Sequence, residues 1–272
     1  MNENRPNPLQ ASNGTARLGT WVKIASLVTF ELLLEADYDF VIVDLEHSPI
    51  ALDWLHTACA VAQPQHCDVL VRMPDCSGRD VQRVLDLGVN GVVFPQVRNV
   101  AAATAAVQSA LFPPRGHRGA ATTSRAGRWG QEELAAYLRR GDEEVVRCIQ
   151  VEAPENVADL EALFDVPGVS AALLGLLDLS VALGRPVGDP TLTAFTTEFV
   201  RQARMRSLPC GTAVGTVNGA REALAAGFDF IVLSNDASVF AHALAALAED
   251  VHTQLRPQHP SPPPRTEAPG EA

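Results

Sequence analysis

The stretch Phe40-Val41-Ile42-Val43-Asp44-Leu45-Glu46-His47-Ser48-Pro49 decides how the chain is read. Its first four residues are aromatic or β-branched, the composition of a strand buried on both faces. Polarity then arrives at once, with Asp44, Glu46 and His47 inside four positions. Pro49 cannot continue a hydrogen-bonded ladder. In parallel α/β proteins, ligands bind at the carboxyl ends of the strands. Two carboxylates and an imidazole are costly at such a place unless they react or satisfy one another.

The same unit, an apolar run followed by a helical pattern, recurs on both sides. Leu18–Ile24 precedes it, and Asp68–Arg72, Gly91–Pro95, Val145–Glu152, Val169–Leu174, Pro209–Val214 and Asp229–Leu233 follow. Helices are expected between them, at Leu27–Ala36, Asp53–Ala62, Gly78–Leu87, Val100–Leu111, Gln131–Arg140, Pro154–Phe164, Thr191–Arg206 and Asn218–Ala226, with a short one opening at Asp178. A last full helix is expected at Ala237–Leu247. Eight strand–helix units predict one α/β domain, a (β/α)₈ TIM barrel over 17–250. An open doubly wound sheet would more naturally carry a Gly-rich phosphate fingerprint after its first strand, and none is present. Residues 1–16 read as a flexible leader and 251–272 as a disordered Pro-rich tail.

Composition narrows the function. The formal net charge of −11 argues against nucleic acid and anionic membrane as partners. No apolar run approaches the ~18 residues of a membrane span. The polar N-terminus does not read as a signal peptide, so a cytoplasmic location is expected. The five cysteines are scattered, odd in number and without a C-x-x-C pair, which predicts reduced thiols rather than disulfides or a zinc site.

The strand ends collect the candidate chemistry: Asp44, Glu46 and His47, then Arg72, then Gln150 and Glu152, then Asp178. Glu152 and Asp178 stand 26 residues apart, one strand–helix unit, so they fall on adjacent strand ends. Two carboxylates without Cys or His suit Mg²⁺ or Mn²⁺, with Co²⁺ also compatible. Asp178 is equally placed to cap a helix. His47 is either a general base or an ordinary loop histidine. Arg72 either grips a carboxylate or enolate oxygen or pairs with Asp75 or Asp86. Lys23, the only lysine, admits a Schiff base but reads better as a strand-end cation.

Taken together these residues resemble the HpcH/HpaI aldolase family, the metal-dependent class II pyruvate aldolases. The resemblance spans roughly 18–248. It rests on the opening stretch, Val71-Arg72, Leu85-Asp86-Leu87-Gly88, Phe112-Pro113-Pro114-Arg115-Gly116-His117-Arg118-Gly119, Arg125-Ala126-Gly127-Arg128-Trp129, Gln150-Val151-Glu152 and Gly175-Leu176-Leu177-Asp178-Leu179-Ser180, in this order. It implies His47 as catalytic base, with Asp86 strengthening that base. Arg72 is implied as stabiliser of the enolate, and Glu152 and Asp178 as metal ligands. Gln150 and the backbone at Leu177 are implied as substrate contacts, with Asp44 and Glu46 as supporting carboxylates. The implied reaction cleaves or forms 4-hydroxy-2-oxo acids through a pyruvate enolate. The implied assembly is a homo-oligomer, a hexamer or trimer that exchanges its last helix.

The sequence departs from the family pattern in two places. Leu176-Leu177 stands where Pro-Ala is usual, which reshapes the pocket. The loop before Arg125 is one residue short, with Ala121 where Gly is common. Three rival readings follow: a Schiff-base aldolase on Lys23, a related enolate lyase, decarboxylase or thioester lyase, and a catalytically weak barrel that binds an oxo acid.

Overall fold

The computed structural model describes residues 7–12 and 14–255. Eight strands, β1 (Arg17–Val22), β2 (Phe40–Asp44), β3 (Asp68–Arg72), β4 (Gly91–Phe94), β5 (Val146–Val151), β6 (Ala171–Leu174), β7 (Cys210–Val214) and β8 (Phe230–Asn235), pair in parallel in chain order. β8 returns to β1 and closes the barrel. The helices between them are α1 (Leu27–Leu34), α2 (Leu52–Ala62), α3 (Val81–Asp86), α4 (Val100–Ala110), α5 (Leu134–Glu143), α6 (Asn156–Phe164), α7 (Leu176–Leu183), α8 (Pro190–Met205) and α9 (Val217–Ala226). α10 (Asp236–Leu255) follows β8. The expected (β/α)₈ barrel is the fold found.

Side chains on a strand alternate between faces, and here the alternation separates two cores. Val41, Val43, Val69, Val71, Ile149 and Val151 face the helices. Phe40, Ile42, Leu70, Val93, Cys148, Leu173, Phe230 and Val232 fill the barrel interior. Phe40 and Phe230 meet edge to face at 6.0 Å. Their rings lie against Gly19 and Gly211, where any Cβ would collide with them.

Several element boundaries differ from expectation for local reasons. α3 starts at Val81 rather than Gly78, because Gly78 sits in the left-handed region at φ +76, which ordinary helical residues avoid. α5 starts at Leu134 rather than Gln131, because the Glu133 carboxylate accepts the N–H groups of Ala135 and Ala136 and so caps the helix there. The short helix at Asp178 is a full eight residues, closed by Gly184 in the left-handed conformation.

The leader holds the largest departure. Residues 7–12 are not a loose extension: Leu9 is wholly buried within the cluster that fills the barrel interior, and Asn7 donates to the Ser170 carbonyl at 2.8 Å. At the other end α10 runs to Leu255, past its expected end at Leu247 and five residues into the expected tail; the remainder of that tail lies outside the described residues. The chain divides after Ala237, and Ser238–Leu255 forms a unit of its own. On that helix Phe240, Leu244, Leu247, Val251 and Leu255 are exposed at a spacing that makes one apolar stripe. Among the described residues no helix is long and apolar enough to cross a membrane. All five cysteines are free thiols. Burial pushes Cys59, Cys67 and Cys210 up to about 12.

Candidate active site

Strand register builds the first half of the site. Trp21 pairs with Ile42 and Val22 with Val43, which brings Lys23 beside Asp44; Asp44 pairs directly with Arg72. Because Phe40, Ile42 and Asp44 alternate onto one face, the interior stripe of β2 ends in a carboxylate. Asp44 is fully buried. Arg72 forks onto it, Nε to Oδ1 at 2.9 Å and Nη2 to Oδ2 at 2.8 Å. Lys23 Nζ donates to Oδ2 at 2.5 Å, and the backbone N–H groups of Glu46 and His47 donate to Oδ1. Burial acts to raise this carboxyl, but the hydrogen bonds from Arg72 and Lys23 outweigh it and hold it at about 2.

Arg72 is thereby fixed in place. Its Nη1 lies 3.2 Å from Glu46 Oε2, and its guanidinium stacks 4.3 Å from the centre of the Trp21 ring. Such a stack contributes on the order of 1 kcal/mol. Of the five N–H groups of a guanidinium, Asp44 and Glu46 engage three. Two remain for a ligand oxygen. His47 is more than half exposed and its Nε2 lies 3.7 Å from Glu46 Oε2, within reach of something entering the mouth.

The second half is built by β4, β5 and β6. Cys148 and Gln150 share the interior face of β5, and Glu152, the residue directly after the strand, continues their alternation. Gln150 donates to Glu152 Oε2, and the backbone N–H of Gln96 donates to Glu152 Oε1 at 2.6 Å. The Gln96 side chain reaches the other way, Nε2 to Glu46 Oε1 at 2.8 Å. One residue thus ties the two halves together, and it does so from the left-handed backbone region, φ +54, where strain gathers at functional sites. Gly175 follows β6 beside Glu152. A Cβ on Gly175 would lie 2.7 Å from Glu152 Cβ and 2.9 Å from Oε2, so only glycine admits this approach.

Glu152 is buried, which raises its carboxyl, and the charges of Asp178 and Glu46 push in the same direction. Asp178 lies in the first turn of α7, exposed, and its side chain is not spent on capping. Among the described residues neither Glu152 nor Asp178 has a cationic partner. Gln150 Oε1 is buried without a donor. Two uncompensated carboxylates, an unsatisfied amide oxygen and the space opposite Gly175 fit a hard divalent cation that takes its other ligands from water and substrate. Among the described residues no larger His, Cys, Asp or Glu cluster offers another metal site.

The other expected residues fall as follows. Arg72 pairs with Asp44 and Glu46, not with Asp75 or Asp86. Asp86, at the end of α3, gives its carboxylate to Arg118 Nη2 at 3.1 Å, and within one chain no hydrogen bond or ion pair joins it to His47. Burial raises the Asp86 carboxyl, with Arg118 opposing. Leu177 is 67% exposed at the mouth end of α7. Trp21 and Gln96 were not singled out from sequence, and Gly175 entered only as the first residue of a motif, with no role assigned. A polar residue directly after an apolar strand and Pro95 was the one signal for Gln96.

A profile of the HpcH/HpaI aldolase/citrate lyase family matches residues 17–243. The chain belongs to that family. Among HpcH/HpaI relatives, a 2-dehydro-3,6-dideoxy-6-sulfogluconate aldolase from Pseudomonas putida is 34% identical over 230 residues, covering 82% of this chain and 87% of its own. A 2-keto-3-deoxy-L-rhamnonate aldolase from Klebsiella pneumoniae is 27% identical over 249 residues, covering 90% and 92%. A crystal structure of an HpcH/HpaI aldolase/citrate lyase family protein from Burkholderia cenocepacia superposes with a TM-score of 0.82 at 26% identity, covering 89% and 96%.

Proposed function

We propose that the protein is a divalent-metal-dependent aldolase that cleaves or forms 4-hydroxy-2-oxo acids, giving pyruvate and an aldehyde. The observation that carries this reading is Glu152 with Asp178, two carboxylates without a cation, set beside a fixed Arg72 and an accessible His47. The relatives above are named as aldolases of 2-oxo sugar acids, in keeping with it.

Glu152 and Asp178 hold the ion, Mg²⁺ or Mn²⁺ by the hardness of their oxygens. When bound, the ion supplies Lewis-acid polarisation of the substrate's 2-oxo group. Gln150 and the free N–H of Leu177 in the first turn of α7 orient the substrate carboxylate. His47, directly or through a water, takes the 4-hydroxyl proton while the C3–C4 bond breaks. The bond's electron pair passes to C3 and the 2-oxo oxygen, and the two unspent N–H groups of Arg72 meet the charge that develops there. C4 leaves as the aldehyde carbonyl. Protonation of C3 then gives pyruvate, and aldol addition runs the same steps backwards.

Lys23 is tied to Asp44, so it serves as a counter-ion rather than a nucleophile. Asp86 is spent on Arg118 within its own chain, so any strengthening of His47 acts between two copies. The apolar stripe on α10 supports a homo-oligomer, the helix being the natural element to exchange.

The test is exchange of pyruvate methyl protons with D₂O, with and without Mg²⁺ or Mn²⁺, in the wild type and Glu152→Gln. Metal-dependent exchange that the variant loses is the expected result. Exchange indifferent to chelator would move the chemistry to Lys23. No exchange under any condition would favour a different lyase donor or a barrel that only binds oxo acids, and would sink the aldolase reading.

A further inference from the structure

A second cavity, about 550 Å³, opens at the amino ends of the strands, away from the mouth just described. Val69 of β3, Asn90 just before β4 and Val145 just before β5 line it, with the C-terminal part of α2. Val69 precedes Arg72 by three residues, about 10 Å along the strand. An odd offset also puts the two on opposite faces, Val69 toward the helices and Arg72 toward the interior. The cavity is therefore separate from the catalytic mouth.

Four arginines, Arg118, Arg125, Arg128 and Arg140, line this one space in a chain of net charge −11. Their partners differ. Arg140 is used up by Glu132, at 3.1 and 2.6 Å, and by the Ala126 carbonyl. Arg118 is only 3% exposed; its Nη2 meets Asp86 and its guanidinium lies 4.6 Å from the centre of the Phe112 ring. Its Nε is buried with no acceptor. Arg125 donates to Gln63 Oε1 at 2.8 Å and to the Cys59 carbonyl at 3.4 Å, both uncharged. The Arg125 stem is packed across Gly88, where a Cβ would come within 3.3 Å of its Cγ. Arg128 is exposed and has no ion pair among the described residues. Glu144 is the one acid in the lining.

A buried guanidinium N–H without an acceptor is costly, and native structures rarely keep one. Planar forks of this kind match carboxylate and phosphate oxygens bidentately. The volume suits a metabolite rather than a lone ion. We propose that this cavity is a binding site for a small organic anion, phosphate- or carboxylate-bearing, held by Arg125 and Arg128 against a wall that carries the Arg118 guanidinium. Arg118 and Arg125 form the inner wall and Arg128 the rim.

Calorimetric titration of the full chain with inorganic phosphate and, separately, succinate tests this, on protein stripped of metal by chelator and then desalted, so that neither metal nor chelator contributes. The expected result is saturable binding of at least one anion, and the anion preferred tells phosphate from carboxylate. Binding should weaken by about tenfold or more in Arg125→Gln/Arg128→Gln, the scale of losing charge-assisted hydrogen bonds, and stay unchanged in Arg72→Lys, which alters the mouth alone. Should the double substitution unfold the chain, Arg125→Lys keeps the charge, loses the fork and should show a smaller loss. Absence of saturable binding would overturn the proposal. So would binding that survives both arginine variants, or binding weakened to the same extent in Arg72→Lys, which would place the anion in the catalytic mouth.

Discussion

Replacing Asp44 by Asn strips the negative charge from the most enclosed carboxylate of the site. Asp44 receives the Arg72 fork, the Lys23 ammonium and two backbone N–H groups, and none of it is exposed. Asparagine keeps one acceptor oxygen but turns an N–H₂ toward donors. Breaking a buried ion pair on one side costs about 3–5 kcal/mol, because the remaining charge is left uncompensated. Glu46 still faces Arg72, so the low end applies, about 3 kcal/mol near neutral pH. Ionisation leaves its own signature in this loss. The folded carboxyl is held at about 2 against an ordinary 3.8. A group depressed on folding stabilises the native state above its unfolded value, and that contribution disappears as pH falls through 3.8 toward 2. At 1.36 kcal/mol per unit it amounts to about 2 kcal/mol. The stability gap between wild type and Asp44→Asn should therefore narrow by about that amount on acidification from pH 5 to pH 2. Urea unfolding followed by circular dichroism, repeated down the pH series, measures the gap. A gap that stays constant through the series would refute the charge-pinning account of Asp44.

Three further outcomes follow from the geometry. His47→Ala should lower kcat by about 10²–10⁴-fold while calorimetric Mg²⁺ affinity is kept; loss of both together would make His47 a structural residue. Gly175→Ala should displace Glu152 and weaken Mg²⁺ binding by about 10–100-fold, the scale of disturbing the support of a metal ligand. Unaltered affinity there would put the ion elsewhere. Leu9→Ala should cost about 2–5 kcal/mol in urea unfolding, as for other fully buried leucines; an effect below about 0.5 kcal/mol would show that Leu9 contributes little to the interior core.

The barrel was legible because each strand announces itself by an apolar run, and β2, β3 and β5 do so a second time by the charged residue that ends them, Asp44, Arg72 and Glu152. Asp68–Arg72 was read to the residue for this reason. Charged residues in the mouth were legible as types at strand ends, but their partners were not. Register sets that Asp44 meets Arg72, and register belongs to the closed sheet rather than to either strand. Asp86 shows the same limit: its partner Arg118 is 32 residues away in a loop with no periodicity to place it. Leu9 was missed because one apolar residue in a polar segment has no pattern, and its burial comes from the barrel interior it fills. Gln96 acts partly through its backbone N–H and a left-handed φ, which a side-chain reading cannot see.

Gln96 also works as a spacer. Its backbone touches Glu152 and its amide touches Glu46, so the length of one side chain gauges the gap between two carboxylates that belong to other strands. The aperture beside the proposed metal site is then adjustable without altering either carboxylate proposed to hold the ion. Shortening the spacer by one methylene, as in Gln96→Asn, removes about 1.5 Å of reach. Glu46 would be released from Glu152, and the order of preference among Mg²⁺, Mn²⁺ and Co²⁺ should shift with it. An unchanged order would mean that the fit of a bound ion does not depend on Gln96.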